Sequence, residues 1–301
     1  MTSILYNFSG KINPILVSIL RIIQQETAAR GMLYFVVGAT ARDLLLHHGH
    51  GLPIRRGTLD LDIAVEVAGW EEFQQLKDAL IATERFTPTS QPQRLIYESF
   101  WVDIVPFGGI SSENQSIRWP PDHQVIMNMM GFSEACLHGA IVRLSEDLPL
   151  DIRVPTIPGM ALMKLISWDD DYPNRSKDAE DLLFLITTYA DAGNIDRLFD
   201  DEPELLKQEE FDTTIAGIRL LGRDMAAMAD SATGEVVQRI LSKETDGQQH
   251  YRLVTDMAKG SRLHDRFDEV FAKLQKLTEG FIEGALIKSI NGPWIRKSEK
   301  F

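Results

Sequence analysis

The chain has 301 residues, of which 44% are hydrophobic and 25% are charged, and its formal net charge is −13. These values are ordinary for a globular protein, so global disorder is excluded, and the length allows one large core or two modest ones. The acidic balance excludes a broad basic surface for duplex nucleic acid, so a polyanionic substrate must be held locally. A single cysteine, Cys136, excludes an internal disulfide and any metal site built from several cysteines.

The first apolar segment, residues 12–23, is interrupted by Arg21 and is shorter than the roughly 20 residues that a membrane span needs. Its apolar side chains recur on one helical face, which predicts an amphipathic helix. Asn13 can cap this helix with Pro14 at its first position, and Gly31 can end it. We see no secretory cleavage site after this segment, and we therefore expect a cytoplasmic protein without membrane contact.

A continuous apolar run of strand length, residues 32–37, ends at Gly38. A short helix over residues 40–46 is expected next. Residues 47–57 then form a loop rich in glycine and charge. Glycine between a strand and a helix is typical of a turn whose backbone amides can face a phosphate group.

The strongest periodicity in the chain lies at residues 59–67, where aliphatic residues alternate with Asp60, Asp62, Ala64 and Glu66. Successive side chains of a strand point to opposite faces, so the aliphatic set is predicted to face a core and both aspartates to face the other way. Two carboxylates on one strand face are near enough to share a divalent cation.

Further elements follow as a helix over residues 69–83 and strands over residues 94–97, 100–105 and 141–144. The second of these strands carries Asp103 among apolar neighbours, where an unpaired carboxylate would be costly. A third carboxylate on a neighbouring strand can bind a cation together with Asp60 and Asp62. Bound cations would also remove the repulsion between the three groups.

The pattern becomes helical beyond about residue 150, after Pro155 and Pro158. Helices are predicted over residues 160–168, 178–189, 212–227 and 266–287. We therefore expect an α+β fold, with a mixed-sheet core and flanking helices over residues 1–155. A helical domain over residues 156–301 follows, and its first helices are expected to complete the active site.

Two segments resemble a known superfamily. The stretch Val37–Leu46, followed by Arg56–Ile63, is similar to the signature of polymerase-β-type nucleotidyltransferases, in which a Gly-Ser or Gly-Gly turn precedes a DxD strand. Lys164, followed by residues 175–182 (RSKDAEDL), is similar to the lysine-helix and K-D-x-x-D-L motifs of the AbiEii-type toxin-like nucleotidyltransferases. The resemblance covers about residues 33–190.

The resemblance implies an enzyme that moves an NMP from an NTP to a hydroxyl of RNA or protein, using Mg²⁺ or Mn²⁺, as the toxin of a toxin–antitoxin pair with an antitoxin partner. Asp60 and Asp62 would bind the metal, and Asp103 would complete the catalytic site as a further ligand or as base for the acceptor hydroxyl. The implied nucleotide-binding residues are Gly38, Ala39, Thr40, Arg42, Lys164 and Asp181, with Asp178 as the alternative to Asp181 in the wall of the site.

Some residues keep a second interpretation. Ala39 stands where the family has Ser or Gly, so it offers an amide but no hydroxyl, and Thr40 can substitute. Lys164 can equally be a half-buried lysine whose charged end reaches solvent. Arg42 can bind phosphate or pair with Asp43 or Asp60. Arg55 and Arg56 can steer an anionic substrate or form a plain surface pair.

The histidines at positions 47, 48 and 50 suggest a zinc site, but adjacent histidines diverge in most backbones, so a solvated loop is favoured. Two other functions also fit the sequence. An acidic cleft suits transfer to a cationic small molecule such as an aminoglycoside. A binding module with the same fold but without catalysis is favoured by Ala39 and opposed by the three aspartates.

Overall fold

The structure is a computed structural model that describes residues 4–54, 60–247, 251–259 and 263–291. It divides into two compact units, Met1–Thr156 and Ile157–Phe301. Arg55 and Arg56, expected to steer a substrate or to pair at the surface, lie outside the described residues, as do Gly57, Thr58 and Leu59 of the resembling segment.

The first unit is built on a five-stranded mixed sheet with the strand order β2-β3-β6-β5-β4. Its strands are β2 (Tyr34–Val37), β3 (Asp60–Glu66), β4 (Thr87–Pro88), β5 (Arg94–Tyr97) and β6 (Phe100–Phe107). The β3–β6 pair is parallel, and the other neighbouring strands are antiparallel.

A second sheet has three strands in the order β1-β9-β10, formed by β1 (Ile4–Asn7), β9 (Ala140–Ser145) and β10 (Leu150–Val154). A small hairpin pairs β7 (Ser116–Arg118) with β8 (Ile126–Asn128). The helices of this unit are α1 (Pro14–Ala28), α2 (Gly38–Arg42), α3 (Trp70–Ala82) and α4 (Phe132–Leu137), and α2 continues into π-helical turns over Asp43–Gly49.

The alternation in β3 places its two faces in different environments. Leu61 and Ile63 are fully buried, whereas Asp60 and Asp62 are partly exposed on the opposite face. Burying one aliphatic side chain of this size stabilises a fold by about 1.5–3 kcal/mol, so a register shift that exchanged the two faces would be strongly unfavourable. The core therefore fixes the direction of both aspartates.

The second unit is helical. It contains α5 (Ile157–Asp170), α6 (Ser176–Thr188), π-helical turns over Ala190–Asn194, α7 (Ile195–Asp200), α8 (Pro203–Gln208), α9 (Thr213–Met228), α10 (Ser231–Thr245), α11 (Arg252–Met257) and α12 (Leu263–Asn291). Helices α9 and α12 cross so closely that a Cβ atom on Gly280 would lie 1.9 Å from the carbonyl oxygen of Arg219. Glycine at this crossing permits backbone-to-backbone packing.

The predicted α+β class, a mixed sheet followed by a helical region, is confirmed. The N-terminal helix starts as expected, with the Ile15 N–H donating to Asn13 Oδ1 at 2.9 Å and Pro14 in the first turn. The predicted loop over residues 47–57 was wrong at its start, because helical turns continue to Gly49. Leu44, Leu45 and Leu46, directly before this stretch, are buried, so the helix is anchored in the core and continues past them.

Candidate active site

One row of residues crosses the five-stranded sheet at the predicted site. Val37 of β2 is in register with Asp62 of β3, Asp62 with Asp103 of β6, and Asp103 with Arg94 of β5. Side chains in register on neighbouring strands point to the same face, so Asp62, Asp103 and Arg94 emerge side by side at intervals of about 5 Å. Asp60 lies two residues before Asp62 and shares that face.

The glycine turn lies directly against this row. Gly38 follows Val37 and has a φ of +67°, a conformation that side chains disfavour. A Cβ atom at this position would lie 2.1 Å from Asp62 Oδ2. Two features therefore require glycine at position 38: its positive φ and the close approach of the Asp62 carboxylate.

The helix that starts at this turn is attached to the strand of the aspartates. The hydroxyl of Thr40 donates to the backbone carbonyl oxygen of Asp60 at 3.4 Å. The side chain of Arg42 is buried and donates to Asp43 Oδ1 from Nε at 3.0 Å and from Nη2 at 2.9 Å. The Thr40 hydrogen bond joins α2 to β3, whereas the Arg42–Asp43 pair lies within the helical segment itself. Ala39 lies between Gly38 and Thr40.

Asp103 has a basic partner that the sequence reading did not identify. Arg94 donates from Nε to Oδ1 at 2.7 Å and from Nη2 to Oδ2 at 2.6 Å, so both carboxylate oxygens of Asp103 accept a hydrogen bond. The guanidinium also lies 4.4 Å from the ring centroid of Trp101, which is 47% exposed. The hydrogen bonds to Asp103 raise the pKa of Arg94, and the charges of Asp60 and Asp62 add to this.

The second unit contains a separate cluster around Lys164 on α5. The ammonium group lies 2.6 Å from Asp178 Oδ1 and 3.0 Å from Asp181 Oδ2, both on α6. The hydroxyl of Ser167 donates to the other oxygen of Asp178 at 3.1 Å. Burial lowers the pKa of Lys164, but the two carboxylates outweigh it and the net pKa is raised. Asp178 and Asp181 are themselves buried.

The histidines at positions 47, 48 and 50 are half-buried, and each contacts a neighbouring group. His50 Nε2 shares a hydrogen bond with the hydroxyl of Tyr6 at 2.8 Å, and His47 Nδ1 lies 2.8 Å from the carbonyl oxygen of Leu52. His48 contacts the ring of Phe8. Within the described ranges, no three His, Cys, Asp or Glu side chains are grouped as a metal site. The zinc interpretation therefore gains no support from the geometry.

The oxygen atoms at this site can be compared with the ligands that Mg²⁺ and Mn²⁺ prefer. Hard divalent cations prefer carboxylate and phosphate oxygens, and Asp60 and Asp62 offer carboxylates on one partly exposed face beside the glycine turn. These two residues fit a cation that completes its coordination with substrate oxygens and water. Asp103 fits less well, because both of its oxygens accept from Arg94.

A mixed sheet that carries paired aspartates beside a glycine turn, followed by a helical domain, defines the class of the nucleotidyltransferases. The chain matches the family described as "Nucleotidyl transferase AbiEii toxin, Type IV TA system" over residues 27–273. It belongs to this family and is a nucleotidyltransferase. The match covers residues of both units.

Comparisons with other proteins add little to this assignment. A comparison with curated protein sequences finds no match. The antibiotic-resistance factor ANT(2'')-Ia has a similar structure at 12% identity and a TM-score of 0.34, over 66% of this chain and 98% of that one. A tRNA-processing enzyme is similar at 15% identity and a TM-score of 0.36, over 92% of this chain and 60% of that one. At these values neither structure carries an argument about substrate.

Proposed function

We propose that the protein transfers an NMP from an NTP to a hydroxyl of RNA or protein with Mg²⁺ or Mn²⁺, as the toxin of a pair with an antitoxin. Such targets place its action in the cytoplasm. The observation that carries the proposal is the contact of the Asp62 carboxylate with the Gly38 turn. A carboxylate that packs against a phosphate-binding turn can share one cation with the phosphate.

The first unit supplies the catalytic groups in this proposal. The backbone amides of Gly38, Ala39 and Thr40 receive the phosphates, and Asp60 and Asp62 hold the cation. A bound divalent cation would neutralise phosphate charge and stabilise the oxygen that leaves with pyrophosphate. The buried aliphatic face of β3 holds both aspartates in one direction, which reduces the reorganisation that binding requires.

Lys164 of the second unit is the proposed contact to the nucleotide phosphates. An ammonium group has three N–H donors, and two of them are within reach of Asp178 and Asp181. The third can donate to a phosphate oxygen while the two carboxylates keep the amine charged and in place. Asp181 and Asp178 then act by positioning Lys164.

Transfer to a cationic small molecule is the second candidate, and the net charge of −13 favours it. An acidic protein attracts a polycationic acceptor such as an aminoglycoside, whereas it repels RNA at long range. The two candidates differ in the acceptor alone, so an acceptor screen separates them.

The test incubates the full chain with each radiolabelled NTP and Mg²⁺, with total tRNA, a cell lysate or a panel of aminoglycosides. We expect label on an RNA or protein acceptor with one NTP preferred. Asp62→Asn should abolish the transfer without unfolding the chain, and Asp78→Asn, at an exposed position on α3, should leave it unchanged. Label on aminoglycosides alone supports the second candidate, and no label with any acceptor supports a binding module without catalysis.

A further inference from the structure

The pair formed by Arg94 and Asp103 bears on how many metal ions the site can hold. This inference rests on the proposed function, because it concerns the metal of that reaction. Three aspartates on one sheet face would provide ligands for two divalent cations. The described structure instead shows a guanidinium at the end of the row, hydrogen-bonded to both oxygens of Asp103.

Two contacts fix this guanidinium. The two-pronged hydrogen bond to Asp103 is the strongest form of an arginine–carboxylate pair. The ring of Trp101 lies under the same group at 4.4 Å, where a cation is attracted by the aromatic face. The side chains of Arg94 and Asp103 are only 20% and 16% exposed, so solvent screens the pair weakly.

A positive charge already lies beside Asp103, because the Arg94 guanidinium donates to both of its oxygens. A second cation on Asp103 would lie beside a guanidinium that cannot lose its proton, and the two like charges would repel each other.

We propose that Arg94 takes the place of a second divalent cation at Asp103, so that the site binds one metal ion, on Asp60 and Asp62, and not two. Asp103 is then a positioning residue that holds Arg94 through both oxygens. Arginine has five N–H donors, and those that Asp103 does not use can contact the phosphates of the nucleotide. Arg94 thereby supplies N–H donors to the phosphates at the position where a second metal would otherwise bind.

The chain offers a matched control for this pair. Arg143 of β9 and Asp151 of β10 are also in register on antiparallel strands, and Nε and Nη2 of Arg143 donate to the two oxygens of Asp151 at 2.8 Å each. Removing that arginine breaks the same type of pair in the other sheet of the unit. Any effect of losing a cross-strand pair as such should therefore appear in both variants.

The experiment counts bound Mn²⁺ by electron paramagnetic resonance of the free ion, on the full chain, with and without a non-hydrolysable NTP analogue. Wild type and R143Q should bind one Mn²⁺ per chain under both conditions. R94Q should bind two, because neutral glutamine leaves the Asp103 carboxylate without its counter-charge. R94K should stay at one, because lysine keeps a positive charge beside Asp103.

Two Mn²⁺ per wild-type chain with the analogue would overturn the inference and leave the proposed function intact. An R94Q variant that is folded by circular dichroism and still binds one Mn²⁺ would also overturn it. A wild-type chain that binds no Mn²⁺ would instead contradict the proposed function. If R94Q does not fold, the wild-type count with the analogue decides the question alone.

Discussion

The contact between Gly38 and Asp62 gives the sharpest test of the site. Gly38→Ala places a Cβ atom 2.1 Å from Asp62 Oδ2, whereas real Cβ contacts do not fall below 3.0 Å, so the oxygen must move by about 0.9 Å. A misplacement of about 1 Å at a reacting group can reduce a rate by about 100-fold. We therefore expect G38A to lower kcat/KM by about 100-fold in the label-transfer assay.

The same substitution also strains the backbone, and a control separates the two effects. Gly31 has a φ of +66° and nothing within 4 Å of its Cβ position, so Gly31→Ala adds the strain without the displacement. An L-residue in this conformation costs about 1–2 kcal/mol, which leaves a protein of ordinary stability almost entirely folded. Both variants should lose that amount in urea denaturation, but G31A should keep its activity within about threefold. A folded G38A variant with near wild-type kcat/KM would refute the role given to Asp62.

Three further predictions concern stability. Lys164→Met removes the counter-charge of the buried Asp178 and Asp181. It should lower the free energy of unfolding, measured by urea denaturation, by about 3 kcal/mol. An unchanged denaturation midpoint would contradict the pairing. The pKa of Lys164 is raised in the folded state, so the stabilisation by its charge is complete below the ordinary value of 10.5. This stabilisation is lost as the pH rises through the folded-state pKa. Above about pH 10.5, K164M should therefore lose less stability than wild type. Asn13→Ala removes the acceptor of the Ile15 N–H and should cost about 1 kcal/mol in thermal denaturation, and a variant as stable as wild type would show that the cap contributes nothing.

Long elements with strong periodicity were predictable from the sequence. The strand that carries Asp60 and Asp62 was recognised because its aliphatic residues alternate over its whole length, and the structure places it at Asp60–Glu66. The strands β1 and β10 were not recognised. Their place in the second sheet depends on pairing with β9, which no local pattern shows.

The Arg94–Asp103 pair shows that part of the missing information was present in the sequence. Strands over residues 94–97 and 100–105 were both predicted, and only two residues separate them. A two-residue connection fixes the register of a hairpin, so that Tyr97 faces Phe100 and Arg94 faces Asp103, as the structure has them. The parallel pairing of β3 with β6 could not be predicted from any local pattern, because packing sets the register of strands that are far apart in sequence.

The arrangement of charges explains how a chain with a net charge of −13 can bind a polyanion. Arg94 and Lys164 are both held by carboxylates, Arg94 by Asp103 and Lys164 by Asp178 and Asp181, so these two cations are fixed in place before a nucleotide arrives. Because of these carboxylates, neither the Arg94–Asp103 pair nor the Lys164 cluster has a net positive charge. A triphosphate gains little from either cluster alone. In the proposed function, a divalent cation on Asp60 and Asp62 supplies the positive charge that the two clusters lack. Nucleotide and metal are therefore expected to bind together, each strengthening the binding of the other by the same factor.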